Sequence, residues 1–121
     1  MIGRTHRFHG YGSLRGVYQR GDTARSPALN LRYAARDPKK PYRVAVVVSR
    51  KVNKSAVVRN RIRRRIYEVV RTNERTIRPG TDLVFAVFND KIAELPAAQL
   101  QETVDSLLKK AAKQPPEHRS A

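Results

Sequence analysis

Basic side chains are concentrated in one stretch of this 121-residue chain, between residues 51 and 71. The stretch reads KVNKSAVVRNRIRRRIYEVVR, and from Arg59 to Arg71 it holds six arginines against a single acid, Glu68. Arginine is suited to phosphate because its planar guanidinium pairs bidentately with two oxygens and also stacks on bases. Like charges at this density repel one another, which favours a helix that normally lies against a polyanion. The chemistry indicated by these residues is nucleic-acid binding.

Acidic and histidine side chains give no sign of a catalytic site. A protein nuclease needs converging carboxylates for metal ions, or a histidine with a carboxylate for acid-base work. The ten acids are scattered, and Glu102 and Asp105 are only a spaced pair on the polar side of a predicted helix. His6 and His9 have no neighbouring Cys or carboxylate to complete a metal site, and no Walker loop, HExxH or CxxC is present. We therefore expect no catalytic residues in the protein and assign no metal ligand.

The composition agrees with a polyanionic partner. Lysine and arginine number 26 against 10 acids, a net charge of +16, which predicts phosphate-rich partners and strongly salt-dependent binding. The absence of cysteine excludes disulfides and thiolate metal sites. No apolar run approaches the roughly 20 residues of a membrane span, and the N-terminus has no signal-type apolar region. We expect a cytoplasmic protein with no membrane partner.

The basic stretch has the periodicity of an amphipathic helix from Val57 to Arg71, with Ser55 as a candidate N-cap. At about 100° per residue, its apolar side chains fall on one side. These are Val58, Ile62, Ile66, Val69 and Val70. The opposite side carries Asn60, Arg61, Arg64, Tyr67 and Arg71. The helix is thus predicted to attach to a core by one face and to present arginine on the other.

Three segments are predicted to be strands. Residues 28–35 alternate apolar and polar side chains, residues 42–49 are a β-branched run expected to be a central strand, and residues 82–88 are a further buried strand. The first two follow each other through a short loop and are expected to be antiparallel. The order strand, helix, strand over residues 42–88 predicts a βαβ unit with parallel strands.

Two further helices complete the predicted elements. The first covers residues 10–21 and ends at Gly21, and the last begins at Pro96 with an apolar stripe formed by Leu100, Val104, Leu107 and Leu108. The predicted organisation is a flexible basic arm over residues 1–9, one nucleic-acid-binding domain over residues 10–114 and a disordered tail over residues 115–121.

The run from Val48 to Arg71 closely resembles the signature of the bacterial ribonuclease P protein subunit, whose hallmark is Arg-Asn-Arg followed by Ile and further basic residues. Here the motif reads Arg59-Asn60-Arg61 and then Ile62-Arg63-Arg64. The chain departs from the family's usual pattern at Leu14, where an aromatic is common, and at Phe88-Asn89, where a basic pair is common.

The resemblance implies a fold and a partner. The fold is an α/β (α+β) two-layer sandwich of αβββαβα type, similar to domain 2 of ribosomal protein S5, with a left-handed βαβ crossover. The role is that of accessory subunit to a catalytic RNA, one protein per RNA, in a ribonuclease that removes the 5′ leader from precursor tRNA. Mg²⁺ is required by the RNA of such an enzyme, and no cofactor is assigned to the protein.

The resemblance also implies two sets of site residues. The first would contact the catalytic RNA, and it comprises Arg50, Lys51, Lys54, Arg59, Asn60, Arg61, Arg64 and Arg65. The second would line a cleft for the single-stranded leader, and it comprises Leu14, Tyr18, Asn30 and Arg32. For Leu14 and Val17, packing in the core is the alternative interpretation, and for Val17 it is the favoured one. For Tyr67, stacking on RNA and covering of arginine stems remain equal alternatives.

Two other classes of function remain open. A structural RNA-binding protein of ribosomal type would share the charge and the fold but would not need a leader cleft. A DNA-binding regulator would place the basic helix in a major groove, but this helix follows a strand and lacks the short preceding helix of a helix-turn-helix.

Overall fold

The computed structural model describes residues 6, 16–17, 21–35 and 37–113. Its strands are β1 (Asp22–Arg25), β2 (Leu29–Ala35), β3 (Arg43–Val47) and β4 (Thr81–Val87). Helix α1 (Ala56–Thr72) joins β3 to β4, and helix α2 (Ala97–Lys113) follows β4. Short 3₁₀ turns lie at Glu74–Thr76 and Asp90–Ala93. The four strands form one sheet in the order β1-β2-β4-β3.

The strand order confirms one prediction about pairing and corrects another. β3 and β4 are parallel neighbours, as predicted for a βαβ unit, and Val44 lies opposite Leu83. β2 and β3 run in opposite directions, but they are not paired with each other, because β4 lies between them and is antiparallel to β2. The connection after α1 is thus long enough to carry β4 into the middle of the sheet.

The prediction that β3 is a central strand is wrong, since β3 lies at one edge of the sheet in the described part of the chain. Val44, Val46 and Val48 are buried on one face, whereas Val47 is 39% exposed on the other. A β-branched run is ambiguous because it fits both a doubly buried strand and a half-buried edge. β1 is a strand that residue patterns alone did not predict, since DTAR is short and mixed in character. The resemblance implied three strands before the basic helix but placed none at these residues.

Both helices pack on one face of the sheet. On that face, β2 and β4 contribute Leu29, Leu31, Tyr33, Leu83, Phe85 and Val87 to the core. Helix α1 adds Ile62, Ile66 and Val70, and α2 adds Leu100, Val104, Leu107, Leu108 and Ala111. The predicted stripe of the last helix is confirmed, and this helix begins directly after Pro96.

The opposite face, called the outer face below, is covered in part by the segment that contains Val17. Residues 16–17 are helical, and Val17 is fully buried with Ala34 of β2 and Val84 of β4. Packing in the core, the interpretation favoured for Val17, is thus confirmed. The amide of Gly21 donates to the carbonyl of Val17 at 2.7 Å, as a terminating glycine would. Most of the predicted first helix, the arm and the tail lie outside the described residues.

Gly80 fixes the turn that leads into β4. Its φ of +79° is one that side chains with a Cβ rarely adopt, and an added Cβ would lie 2.2 Å from the carbonyl oxygen of Asp37. The turn is therefore pressed against the loop between β2 and β3, which sets where β4 enters the sheet.

Candidate nucleic-acid interface

Helix α1 has the two faces that its periodicity predicts. Ser55 caps it, its Oγ accepting from the Val58 amide at 3.3 Å. Ile62, Ile66 and Val70 are buried, and Val58 and Val69 pack partly buried against the core. Asn60, Arg61 and Arg64 are exposed on the other side. The helix is held by its apolar stripe and leaves its arginine face to solvent.

Five of the predicted RNA contacts form an exposed cationic surface, named here the basic surface. The members are Arg50, Lys51, Lys54, Arg61 and Arg64. No side chain of this set forms a hydrogen bond or ion pair with another residue of the described ranges. Their charges are therefore unneutralised by the fold, as a surface for a polyanion requires.

Arg59 turns back toward the loop that precedes α1. Its Nη1 donates to the carbonyl oxygens of Asn53 at 3.0 Å and Lys54 at 2.8 Å. The side chain of Asn53 is held by two further hydrogen bonds. Its Nδ2 donates to Asp90 Oδ2 at 3.0 Å, and its Oδ1 accepts from the Ser55 backbone amide at 2.8 Å. Arg59 thus holds the loop that carries Lys51 and Lys54 in one conformation.

Arg65 likewise contacts the protein itself. Its Nη1 donates to the carbonyl of Ile92 at 2.6 Å, and its Nη2 donates to the carbonyl of Leu95. Both acceptors lie between β4 and α2, so Arg65 ties α1 to that connection. Arg63 donates to Asn60 Oδ1 at 2.7 Å and more distantly to the Val48 carbonyl. The arginines of α1 therefore divide into exposed cations and structural donors.

Tyr67 does not lie on the basic face, and this part of the prediction is wrong. It packs partly buried against the core, and its hydroxyl accepts from the Val46 amide at 3.2 Å. Periodicity places residue 67 on the basic side, but its ring turns to β3, where packing gains more than exposure would. Its hydroxyl satisfies a backbone donor on the edge strand.

The outer face of the sheet brings two predicted cleft residues together. Asn30 and Arg32 follow each other on this face of β2, and both are partly buried. Asn30 lies opposite Ala86 of β4 and Arg25 of β1, and Arg32 lies opposite Val84 and Thr23. Leu14 and Tyr18 lie outside the described residues, so their place in a cleft stays a prediction.

Two features of the outer face were not singled out from the sequence as site residues. Arg43 and Asp82 form a bidentate ion pair at the start of β3 and β4. Phe88, just beyond β4, is 57% exposed. The ion pair could have been found from the charges that open two otherwise apolar strands. Phe88 could not, because an aromatic at the end of an apolar run resembles one more core residue.

Acidic groups near the interface are engaged by neighbouring cations. Arg71 donates to both carboxylate oxygens of Glu68, at 3.0 and 3.4 Å, and these bonds are the largest of the causes that lower the pKa of Glu68 to about 2. Asp105 on α2 pairs with Lys109 at 3.1 Å. Within the described ranges, no three His, Cys, Asp or Glu side chains are grouped closely enough to hold a metal ion. No helix of these ranges is long and apolar enough to cross a bilayer.

Comparison with known proteins agrees with this fold and this helix. Residues 2–112 match the model of the family described as Ribonuclease P. A Ribonuclease P protein component from Chloroflexus aurantiacus is 37% identical over 108 residues, which cover 89% of this chain and 78% of that protein. One from Gluconacetobacter diazotrophicus is 43% identical over 86 residues, covering 69% of this chain and 72% of that protein.

Among solved structures, the RNase P protein of Staphylococcus aureus superimposes with a TM-score of 0.76 at 20% identity, covering 89% of this chain and 96% of that one. The fold is thus the mixed α+β fold of RNase P proteins, as predicted. Because the family model matches residues 2–112, nearly the whole of this chain, the chain belongs to the family of ribonuclease P protein components.

Proposed function

We propose that this protein is the accessory subunit of a ribonucleoprotein endoribonuclease that removes the 5′ leader of precursor tRNA. The observation that carries the proposal is the basic surface, in which exposed arginines and lysines on α1 and its preceding loop have no acidic partner among the described residues. Family membership supplies the second support. In this proposal the partners are the catalytic RNA and precursor tRNA, with one protein bound per RNA.

The basic surface would bind phosphates of the catalytic RNA. Arg61 and Arg64 project from one face of α1, and Lys51 and Lys54 project from the loop fixed by Arg59. A loop that is already ordered loses little entropy on binding, so its cations contribute more of their electrostatic attraction to affinity. Asn60 adds a polar side chain whose oxygen is oriented by Arg63.

Arg59 and Arg65 have a different part in this proposal from that of the exposed cations. Each uses guanidinium nitrogens on backbone carbonyls, and both hold segments next to the basic surface in place. Arg59 engages only Nη1 in these bonds, which leaves Nη2 and Nε to reach a phosphate. Arg65 engages both terminal nitrogens, so it has no pair of adjacent nitrogens without a hydrogen bond. We therefore assign Arg59 a shared role and Arg65 mainly a positioning role.

The leader would lie on the outer face of the sheet. Asn30 and Arg32 offer hydrogen-bond donors there, and Tyr18 would add a ring on which a base can stack. Single-stranded RNA suits such a face because its unstacked bases present their planes and edges. Leu14 would line the same cleft as an apolar side chain.

The cleavage chemistry would reside in the RNA. Mg²⁺ ions held by RNA phosphates would activate the attacking water. The donor set of the described residues does not suit a protein metal site, because its carboxylates are dispersed or paired with arginine and lysine. We therefore assign no step of the reaction to the protein's own side chains.

The experiment that tests this function is processing of a precursor tRNA by a bacterial ribonuclease P RNA at low Mg²⁺, with the protein added or omitted, and with the protein alone. Cleavage at the mature 5′ end only when RNA and protein are combined is the expected result. Tight RNA binding without any help to processing would favour a structural protein of ribosomal type. Cleavage by the protein alone would overturn the assignment of chemistry to the RNA.

The leader cleft is tested separately by Tyr18→Ala. Loss of a stacked base should weaken the binding of precursor tRNA by roughly 1–3 kcal/mol and leave the binding of mature tRNA unchanged. An equal loss for both RNAs would point to a structural role for Tyr18 instead. Thermal unfolding of the variant, measured alongside, shows whether the fold itself has been weakened.

A further inference from the structure

Phe88 combines an exposed ring with a fixed backbone. Its side chain is 57% exposed, yet its amide donates to the carbonyl of Ala28 at 2.9 Å, which extends the pairing of β2 and β4 by one residue. A large apolar side chain on such a rigid position loses little freedom when a ligand covers it. Exposed aromatic rings of this kind mark binding positions more often than exposed aliphatic residues do.

The neighbours of Phe88 on the outer face form a small apolar shelf. Ala86 precedes it by two residues on β4 and so shares its face. Val47, which is 39% exposed, lies opposite Ala86 on β3, and Asn30 lies opposite Ala86 on β2. Because β3 and β4 are parallel, Val47 and Phe88 both lie where their strands end. We call Val47, Ala86 and Phe88 the strand-end shelf.

Cations surround this end of the sheet. The loop after β3 carries exposed Arg50, Lys51 and Lys54, and Lys91 follows Phe88 by three residues. Arg25 is exposed on β1 opposite Asn30. The described acid nearest in sequence is Asp90, whose carboxylate already accepts from Asn53. The shelf is thus an apolar plane within a positively charged rim.

We propose that the strand-end shelf is a stacking platform on which Phe88 receives one unpaired base of a single-stranded RNA, with the flanking phosphates held by the cations around it. The inference rests on the proposed RNA-binding function and adds a named contact to it. An aromatic ring between cations matches single-stranded nucleic acid, which pairs a π-face with a phosphate at every nucleotide. Every base offers such a face, so the platform selects unpaired RNA and tolerates its sequence.

A protein partner fits this surface less well. The apolar area is limited to one ring, a valine and an alanine, which is small for the apolar centre of a protein interface, and the charges around it are mostly of one sign. The exposed position also means that Phe88 can be replaced without disturbing the core, which makes the platform testable.

The test compares three variants of one residue in the complete holoenzyme, assembled from this protein and a ribonuclease P RNA. Phe88→Tyr keeps the aromatic ring, Phe88→Leu keeps apolar volume without a ring, and Phe88→Ala removes both. We expect Phe88→Ala to lower the affinity for leader-bearing precursor tRNA about 5- to 150-fold. Phe88→Leu should recover little of this loss, and Phe88→Tyr should bind with the affinity of the unchanged protein. If Phe88→Ala alters neither the affinity for precursor tRNA nor the affinity for the ribonuclease P RNA, the platform is overturned; full recovery by Phe88→Leu would also overturn it.

An abasic nucleotide, moved one position at a time along the leader, provides the complementary change on the RNA. At one position it should weaken binding to the unchanged protein and have no further effect with Phe88→Ala, because ring and base act as a pair. If every leader position behaves alike but assembly with the ribonuclease P RNA is weakened by Phe88→Ala, the stacked base belongs to the catalytic RNA. If neither RNA shows this coupling between the Phe88 ring and a base, the platform is refuted.

Failure of this inference is distinguishable from failure of the proposed function. A protein that stimulates processing equally with Phe88 and with Phe88→Ala retains its function and lacks the platform. A protein that stimulates no processing at all removes the function on which the platform rests. Concentration-dependent self-association that disappears in Phe88→Ala would instead show that the shelf is covered by a second copy of this chain.

Discussion

Arg43 and Asp82 lie opposite each other on the parallel strands β3 and β4, joined by Nε to Oδ1 at 2.9 Å and by Nη2 to Oδ2 at 2.8 Å. Asp82 is 1% exposed, and the side chain of Arg43 is 18% exposed. A buried carboxylate is tolerated only when its charge is paired and its oxygens accept hydrogen bonds. The pair therefore ties the edge strand to the central strand at the end of the sheet where both begin.

Asp82→Asn should lower the free energy of unfolding by roughly 2–4 kcal/mol, because it leaves the guanidinium of Arg43 without its counter-charge in a mostly buried position. Urea denaturation measures the change. The matched control is Glu68→Gln, which breaks the exposed pair with Arg71 and should leave the midpoint nearly unchanged. Equal effects of the two substitutions would show that the buried Arg43–Asp82 pair contributes no more to the free energy of unfolding than the exposed pair does.

Arg61→Ala should weaken assembly with the catalytic RNA and reduce the slope of log affinity against log salt by about one, the value for one lost phosphate contact. Arg61 is exposed on α1 and the fold does not depend on it. Arg75→Ala serves as control, because Arg75 is also exposed but follows α1 on a 3₁₀ turn away from the basic surface. An unchanged slope in Arg61→Ala would remove Arg61 from the interface.

Arg59→Met should act on the protein before it acts on RNA. It removes the donor to the carbonyls of Asn53 and Lys54, so we expect a loss of roughly 1–2 kcal/mol in stability. Amide exchange at Val52 and Asn53 should become faster as the loop loosens.

Arg61→Met is the matched control for Arg59→Met, since it removes the same group two residues away without touching the loop. It should leave both stability and exchange unchanged. Exchange in the Arg59 variant as slow as in the unchanged protein would show that Ser55 and Asp90 suffice to fix the loop.

Tyr42→Phe should be neutral or stabilising by up to about 1 kcal/mol. The Tyr42 hydroxyl is buried and has no hydrogen-bond partner among the described residues, so its removal ends a desolvation cost. Burial, followed by the charge of Glu74, raises the pKa of Tyr42 to about 12. The ring would still stack on His6, whose centroid lies 3.9 Å away. A loss of more than about 1 kcal/mol on thermal unfolding would mean that the hydroxyl has a partner after all.

The Glu68 carboxyl should titrate with a pKa near 2, well below its ordinary value of 4.5, mainly because of its hydrogen bonds from Arg71. Because the carboxylate is exposed and solvent screens its pair with Arg71, the lowered pKa contributes little to stability. That small contribution is present above about pH 4.5 and is lost as the pH falls to about 2. Carboxyl NMR titration measures the pKa directly. Arg71→Ala should raise it, whereas Arg75→Ala should not.

The elements of this fold were predictable where their periodicity is strong. The predicted bounds of α1, β2 and β4 fall within one residue of those observed, because alternation and helical spacing are local properties of the chain. The position of β3 at an edge was not predictable in this way, because strand order depends on where β4 inserts. β1 was too short and mixed for a pattern.

In the candidate site too, features set by local spacing were predictable and features set by tertiary contacts were not. Exposure of Arg61 and Arg64 follows from helical spacing, and the structure places both as predicted. The inward direction of Arg59 and Arg65 does not follow, because their acceptors are carbonyls of separate loops that meet α1 only in the folded protein. Contacts with RNA, and the part of the cleft formed by Leu14 and Tyr18, stay predictions.

The insertion of β4 between β2 and β3 has a consequence for synthesis of the chain. β1 and β2 can pair as soon as both have left the ribosome, but β3 has no neighbour until Thr81 to Val87 has emerged. During that interval the valines of β3 and the apolar stripe of α1 lack the surface that covers them, as is usual for non-local strand pairing. The many positive charges translated in the same interval disfavour self-association, so the arginines of α1 would protect the nascent chain before any RNA reaches them.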